Sequence, residues 1–170
     1  MSDVEKIGNA VQYRDPLFIE NTKFIFRTNF SGDPAKDKYK STTRRGNLII
    51  PSEEQTQEMI EAGYNVKQTN PREGEEEGFV PTYFTPIIIG YANPRRQPKV
   101  YLVTKGVPTE LDESTVGMID DVYVLNVNAT LNPRYNADRD SWTLYVSQLY
   151  VEQDVEDDPW ADRYTWREEE

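Results

Sequence analysis

VYVLNVNATL (122–131) and WTLYVSQLYV (142–151) decide the class of fold. In the first, Val127, Ala129 and Leu131 alternate with Asn126, Asn128 and Thr130, the period of two that puts one face of a strand on a core and the other in solvent. Between the two lies NPRYNADRDS (132–141), rich in turn residues and expected to be a hairpin loop. Working outward, KFIFRTNF (23–30) alternates and is aromatic-rich, with Phe24, Phe26, Thr28 and Phe30 expected on one side, and NLII (47–50), YNVK (64–67) and KVYLVT (99–104) add shorter strands. In FVPTYFTPIIIGY (79–91), Pro81 and Pro86 predict an edge or bulged strand rather than a central one. Helix signals are few: Ser52 as N-cap with Gln55 completing a capping box, Met59 and Ile60 as an apolar stripe, and Gly63 as the stop. A helical turn fits within 110–121, packed through Leu111, Val116, Met118 and Ile119. The sum is a mainly β chain of six or seven strands with one or two short helices and no βαβ rhythm, which suits a small closed or nearly closed barrel. The expected organisation is an N-terminal arm (1–20), one domain (21–151) and a disordered acidic tail (152–170).

A chain of 170 residues can bury a core without disulfides or metals. It has neither cysteine nor histidine, which removes Cys-His nucleophiles, histidine-based triads and zinc-finger or haem ligation. The first residues, MSDVEKIGNA, lack the apolar run of a signal peptide, and the longest apolar stretch, Ile87 to Ile89, is far too short for a membrane span, so a soluble cytoplasmic protein is the expectation. No cofactor is expected. Carboxylate chemistry remains conceivable at Asp120-Asp121 or Asp157-Asp158 with Mg²⁺, but neighbours on a strand point to opposite faces, and the second pair falls in the tail.

Formal net charge is -11, yet it is unevenly spread. Residues 152–170 hold nine acids and two bases, whereas residues 21–50 hold seven bases and two acids. Proteins that hold single strands join a positive groove to aromatic platforms on which bases stack. Both ingredients interleave here. Candidate phosphate contacts are Lys23, Arg27, Lys36, Lys38, Lys40, Arg44, Arg45, Arg95, Arg96 and Lys99; candidate stacking residues are Phe30, Tyr39, Tyr91, Tyr101 and Tyr135. Tyr39 stands out, lying in a polar loop with nothing to pack on. The acidic tail keeps aromatic residues that a solubilising terminus has little use for, so Asp157, Asp158, Trp160, Trp166, Glu168, Glu169 and Glu170 are candidate contacts to a partner protein. A rival class is an acidic interaction protein, a DNA mimic or virion component, but such a surface should be acidic across its fold rather than basic in its longest loop.

The order FSGDP (30–34), AGYNVK (62–67), PKV (98–100), IDD (119–121), NPRYN (132–136), LYV (149–151) and acidic tail resembles bacteriophage single-stranded DNA-binding proteins, over roughly residues 21–151. The resemblance implies a five-stranded OB-fold-like barrel with extra strands, and a non-enzymatic protein that coats single-stranded DNA during phage replication and recombination. RNA is a further expected ligand, since nothing in the sequence is designed to read a 2′-hydroxyl. It also implies that the tail recruits replication or recombination proteins. One departure is visible: such tails often finish on an aromatic residue, whereas here Trp166 is followed by Arg167 and three glutamates.

Overall fold

The computed structural model describes residues 5–7 and 11–155. Its strands are β1 (Glu5–Ile7), β2 (Val11–Tyr13), β3 (Leu17–Thr22), β4 (Phe24–Asn29), β5 (Arg44–Ile49), β6 (Lys67–Gln68), β7 (Tyr83–Ile89), β8 (Lys99–Thr104), β9 (Val107–Leu111), β10 (Val124–Asn136) and β11 (Ser141–Gln153). One helix, α1 (Glu53–Glu61), and two 3₁₀ turns, Pro34–Lys36 and Val116–Asp121, complete the described residues.

Strand pairing returns on itself. β4 pairs β5, β5 pairs β7, β7 runs parallel to β11, β11 pairs β10, and β10 pairs β3. Because β3 and β4 are consecutive and separated only by Lys23, they act as one bent strand that closes the ring, and the Lys23 carbonyl still accepts from Ile49 N–H at 3.0 Å. Counting the bent strand once, the ring is five-stranded, as an OB-fold is. The family-like β barrel is therefore present, with β8 and β9 added beside β11, and β2 and β1 added beside the far end of β10.

Register explains the core. Ile19, Ala129, Leu149, Val100 and Leu111 stand side by side across β3, β10, β11, β8 and β9, and all are buried. A register shift between Thr130 and Leu131 resets the phase, so that Leu131, Leu144 and Val146 also point inward. Val116 and Ile119 of the second 3₁₀ turn are buried in this core. Ser52 caps α1 at Gln55 N–H as expected, but the Gln55 side chain donates to the Phe18 carbonyl instead of closing a capping box; Met59 is buried while Ile60 is exposed.

Several expectations are corrected. Residues 17–20 are not an arm: β3 is a wall of the barrel, with Ile19 fully buried, because its apolar partners lie more than a hundred residues away on β10. The turn-like NPRYN is strand. Pro133 pairs Leu144 and is buried, leaving only residues 137–140 as the hairpin loop; tertiary pairing overrides local turn chemistry. β11 continues to Gln153, and Asp154 N–H bonds the Tyr123 carbonyl, so residues 152 and 153 belong to the barrel, not the tail. β7 is central despite Pro86. Its only bridge to β11 is Ile88 with Tyr145, two residues beyond the proline, so no ladder bond to β11 is required of Pro86. Finally, the expected common face of Phe24, Phe26, Thr28 and Phe30 is broken: Phe26 has φ 61° within a register shift and is exposed, while Thr28 and Phe30 are buried.

Candidate nucleic-acid interface

On the outer face of the ring one row of residues crosses four strands: Asn132 of β10 is opposite Tyr145 of β11, which bridges Ile88 of β7, which is opposite Arg45 of β5. Beside it lie Arg134 opposite Thr143, and Pro86 opposite Asn47. These residues point outward because their sequence neighbours Leu144, Val146, Ile87 and Gly46 are buried, and alternation fixes the rest. Three depressions tile this face. One, of about 220 Å³, is lined by Tyr145, Arg134, Arg96 and Gly90 among others; a second, about 330 Å³, shares Arg134 and Tyr145 with it and adds Tyr135; a third, about 390 Å³, shares Thr143 with the second and reaches Ile88, Pro86 and Arg45. Shared walls make them one groove.

Two loops flank it. The β10–β11 turn brings Asp138 and Asp140 to its rim, and the Tyr135 hydroxyl bonds Asp140, an interaction that raises the Tyr135 pKa. The longer 30–43 loop enters β5 just before Arg45. Its first half is tied down. Asn29 accepts from Asp33 N–H and Ser31 Oγ, Asp33 caps the Pro34–Lys36 turn, and Gly32 (φ 66°) could not carry a Cβ, which would lie 2.7 Å from the Thr42 carbonyl oxygen. The main anchor is Asp120, whose side chain is fully buried. It accepts from Thr28 Oγ1 (2.7 Å), Phe30 N–H (2.8 Å), Ser31 N–H (3.1 Å) and Lys36 Nζ (3.2 Å). Desolvation pushes its pKa up, but the donated hydrogen bonds outweigh that and hold it below the ordinary carboxylate value. Past this anchor the tip, Lys38-Tyr39-Lys40, is exposed, with Tyr39 at 82 % and the Lys38 ammonium 5.7 Å from its ring centre.

The structure therefore sorts the sequence candidates. Lys38, Lys40, Tyr39, Arg45, Arg96 and Tyr135 fall on the groove or its flanking loop. Arg45 is exposed, donates to Ser41 Oγ and sits 3.7 Å from Asp37. Arg95 is exposed in the adjoining turn, and Lys23 and Arg27 are exposed on the bent strand. Four candidates are spent inside the fold. Phe30 has no exposed surface and cannot stack on a base. Lys36 is paired with Asp120, and Arg44 donates to the Phe30 carbonyl at 2.8 Å with its guanidinium over Tyr91. Tyr91 is half-buried and faces Glu110, Asp112 and Glu113, where carboxylates repel phosphate; burial raises its pKa, with Arg44 opposing. Tyr101 is stacked on Tyr150 at 4.6 Å and 15°, and Lys99 is opposite Gln148, both on another sector; Tyr150 lies five residues beyond Tyr145, about 16 Å at strand rise. The Asp120-Asp121 metal reading also falls, since donors occupy the buried carboxylate. All the tail candidates, Asp157 through Glu170, lie outside the described residues.

Sequence reasoning missed Tyr145 and Arg134. The signal was available: Leu144 and Val146 are the apolar phase of that strand, which leaves Tyr145 as an aromatic residue in the solvent phase. The arrangement matches the way OB-folds hold oligonucleotides, on the face of their second and third strands (β5 and β7 here) and the loops after the first and fourth.

A protein-family profile described as "Putative phage ssDNA-binding domain" matches residues 8–166. The chain belongs to this phage single-stranded DNA-binding family. The match spans β2 through β11 and extends beyond residues 21–151 at both ends, in keeping with β3 being part of the barrel. Comparison with curated proteins gives no match. Among the described residues, no helix is long and apolar enough to cross a membrane, and no cluster of three or more carboxylates is placed to hold a metal ion. The family's description names single-stranded DNA as its ligand.

Proposed function

We propose that the protein binds single-stranded DNA without marked sequence preference along the outer groove, coating unwound strands in phage replication and recombination, and that it is not an enzyme. The observation that supports this best is the run of adjoining depressions from Arg45 and Ile88 to Tyr145, Arg134 and Arg96, with the exposed Lys38-Tyr39-Lys40 tip on the loop that leads into Arg45, on a chain of the phage single-stranded DNA-binding family. Phosphates meet Lys38, Lys40, Arg45, Arg96 and Arg134, with Arg95 at the margin; bases stack on Tyr39, Tyr135 and Tyr145. The acidic C-terminal residues, with Asp157, Asp158, Trp160, Trp166 and Glu168 to Glu170, recruit replication or recombination proteins and compete with DNA for the basic groove.

Titration with poly(dT) and with duplex DNA of equal length tests this, for the full chain and for a chain ending at Val155, which keeps the Asp154–Tyr123 bond. Tight, salt-sensitive preference for the single strand, strengthened by the shortening, is expected. Absence of binding by either protein at low salt would overturn the proposal and favour a protein partner.

A further inference from the structure

The two loops beside the groove lie on opposite sides of it and carry opposite charge. β7 runs parallel to β11 and antiparallel to β5, so β5 and β11 run against each other, and the loops that lead into them fall on opposite sides of the row through Arg45, Ile88 and Tyr145. On one side the 30–43 loop ends at Arg44, with Lys38 and Lys40 exposed at its tip; Arg95, in the turn after β7, is exposed on the same side. Asp37 of that loop is nearly buried, accepting from Tyr39 N–H at 2.8 Å and lying 3.7 Å from Arg45. On the other side the 137–140 hairpin ends at Ser141, with Asp138 and Asp140 exposed. Asp138 lines the depression that holds Tyr135 and Arg134, and Asp140 lines the one that reaches Arg45, whereas Arg139 between them lines none of the three. Asp140 accepts from the Tyr135 hydroxyl, which fixes its carboxylate at the groove. Arg14, behind this side, is taken up by the Ala62 carbonyl at 2.7 Å and by the Trp142 ring, whose centre lies 4.1 Å from the guanidinium.

We infer that Asp138 and Asp140 set strand specificity by repulsion: the groove takes one phosphate backbone on its basic side, and these carboxylates turn away the second backbone of a duplex. The inference rests on the proposed DNA-binding function and adds to it the residues that reject the wrong nucleic acid. Phosphate contacts at the exposed Lys38, Lys40 and Arg45 are available to any nucleic acid backbone, single or double, so they do not discriminate by themselves. Charge on the far side does. Tyr145 and Ser141 are four residues apart on β11, about 13 Å at strand rise, which is comparable to the roughly 6–12 Å that separates the two backbones across a groove of B-DNA. A duplex seated on the basic side therefore brings its second row of phosphates to Asp138 and Asp140. A single strand brings only its bases there, which carry no charge, so the carboxylates penalise the second ligand and hardly touch the first.

The test uses the full chain at low salt with two probes of equal length, a dT oligomer and duplex DNA. Asp138→Asn with Asp140→Asn, which keeps an acceptor for the Tyr135 hydroxyl, is expected to strengthen duplex binding by at least about 5-fold and to change dT binding by less than about 2-fold. The gain should shrink as salt rises from about 0.01 M to about 0.15 M, over which the Debye length falls from about 30 Å to about 8 Å. Glu53→Gln with Glu54→Gln removes the same charge at the start of α1, the end bonded to Phe18 of β3, and should leave both affinities as in the parent. Unchanged duplex binding in the Asp138 and Asp140 variant would overturn the inference, as would an equal gain on both probes or in the Glu53 and Glu54 control, either of which would mark an effect of net charge alone. Failure of the unmodified chain to bind dT would instead remove the function on which the inference rests.

Discussion

Asp120→Ala should be the most damaging single change outside the apolar core. The carboxylate has no solvent exposure and serves four donors on three parts of the chain: Thr28 on β4, the Phe30 and Ser31 amides at the start of the long loop, and the Lys36 ammonium. Alanine leaves two backbone N–H groups and a hydroxyl without acceptors, each worth about 1–3 kcal/mol if water cannot reach it, and removes the partner of a mostly buried ammonium. Water entering the vacated space and swinging of Lys36 to solvent recover part of this, so the net expectation is about 3–5 kcal/mol, the range found for breaking buried ion pairs. Against a total stability of about 5–15 kcal/mol that is a large fraction. Urea unfolding followed by tryptophan fluorescence measures it, with Lys36→Met as the control, expected to cost about half as much or less. The same group predicts a pH dependence. Its folded pKa is depressed, so its contribution is present above the ordinary carboxylate value and is lost as pH falls through the lower folded value. Asp120→Ala should therefore flatten the acid limb of the stability curve. A loss under about 1 kcal/mol, or an unchanged acid limb, would refute the view that this carboxylate anchors the loop.

Gly46→Ala should cost about 1–3 kcal/mol in the same unfolding assay, because the added Cβ would sit 2.8 Å from Phe30 Cζ and 3.1 Å from Thr28 Cγ2 in a packed wall. Replacing Lys38, Lys40 and Arg45 together by alanine should lower the magnitude of the log–log salt slope of binding by about 0.7 for each phosphate that is no longer neutralised, whereas Lys36→Ala should leave the slope unchanged. Tyr39→Ala should weaken single-strand binding by about 1–3 kcal/mol at every salt concentration, as removal of a stacking platform does and removal of a charge does not.

How much of this was legible in the sequence depended on whether a residue's role is set by its neighbours in the chain or by strands far away. KVYLVT (99–104) is strand as read, and Ser52 caps its helix as read, since both signals are local. Tyr39 is exposed for an equally local reason: the polar loop around it offers no apolar partner. Phe30 read as a further stacking candidate and is instead core, because Gly46 and the 3₁₀-turn residues Val116 and Ile119, which share its core, come from distant segments. Lys36 and Arg44 read as free charge until Asp120 and the Phe30 carbonyl, neither recognisable as partners beforehand, were brought to them. Pro86 and Pro133 carried sound warnings against pairing; register placed them where no ladder bond was needed or where burial outweighed its loss. The groove itself could not be read, since a row such as Asn132, Tyr145, Ile88 and Arg45 exists only once four strands are aligned.

That row also crosses the place where the ring is held most thinly. β10 and β11 are laced by a twelve-residue register and β5 and β7 by six pairs, but β7 and β11 meet at a single bridge. The cylinder thus consists of two stiff staves joined along a loosely stitched edge, and the proposed nucleic-acid groove lies over that edge. Under the proposed function, a strand of DNA gripping Arg45 on one stave and Arg134 on the other would work as a suture. Occupancy should then tighten the barrel at that point, so that amide exchange at Ile88 and Tyr145 slows on binding more than at any residue within either stave.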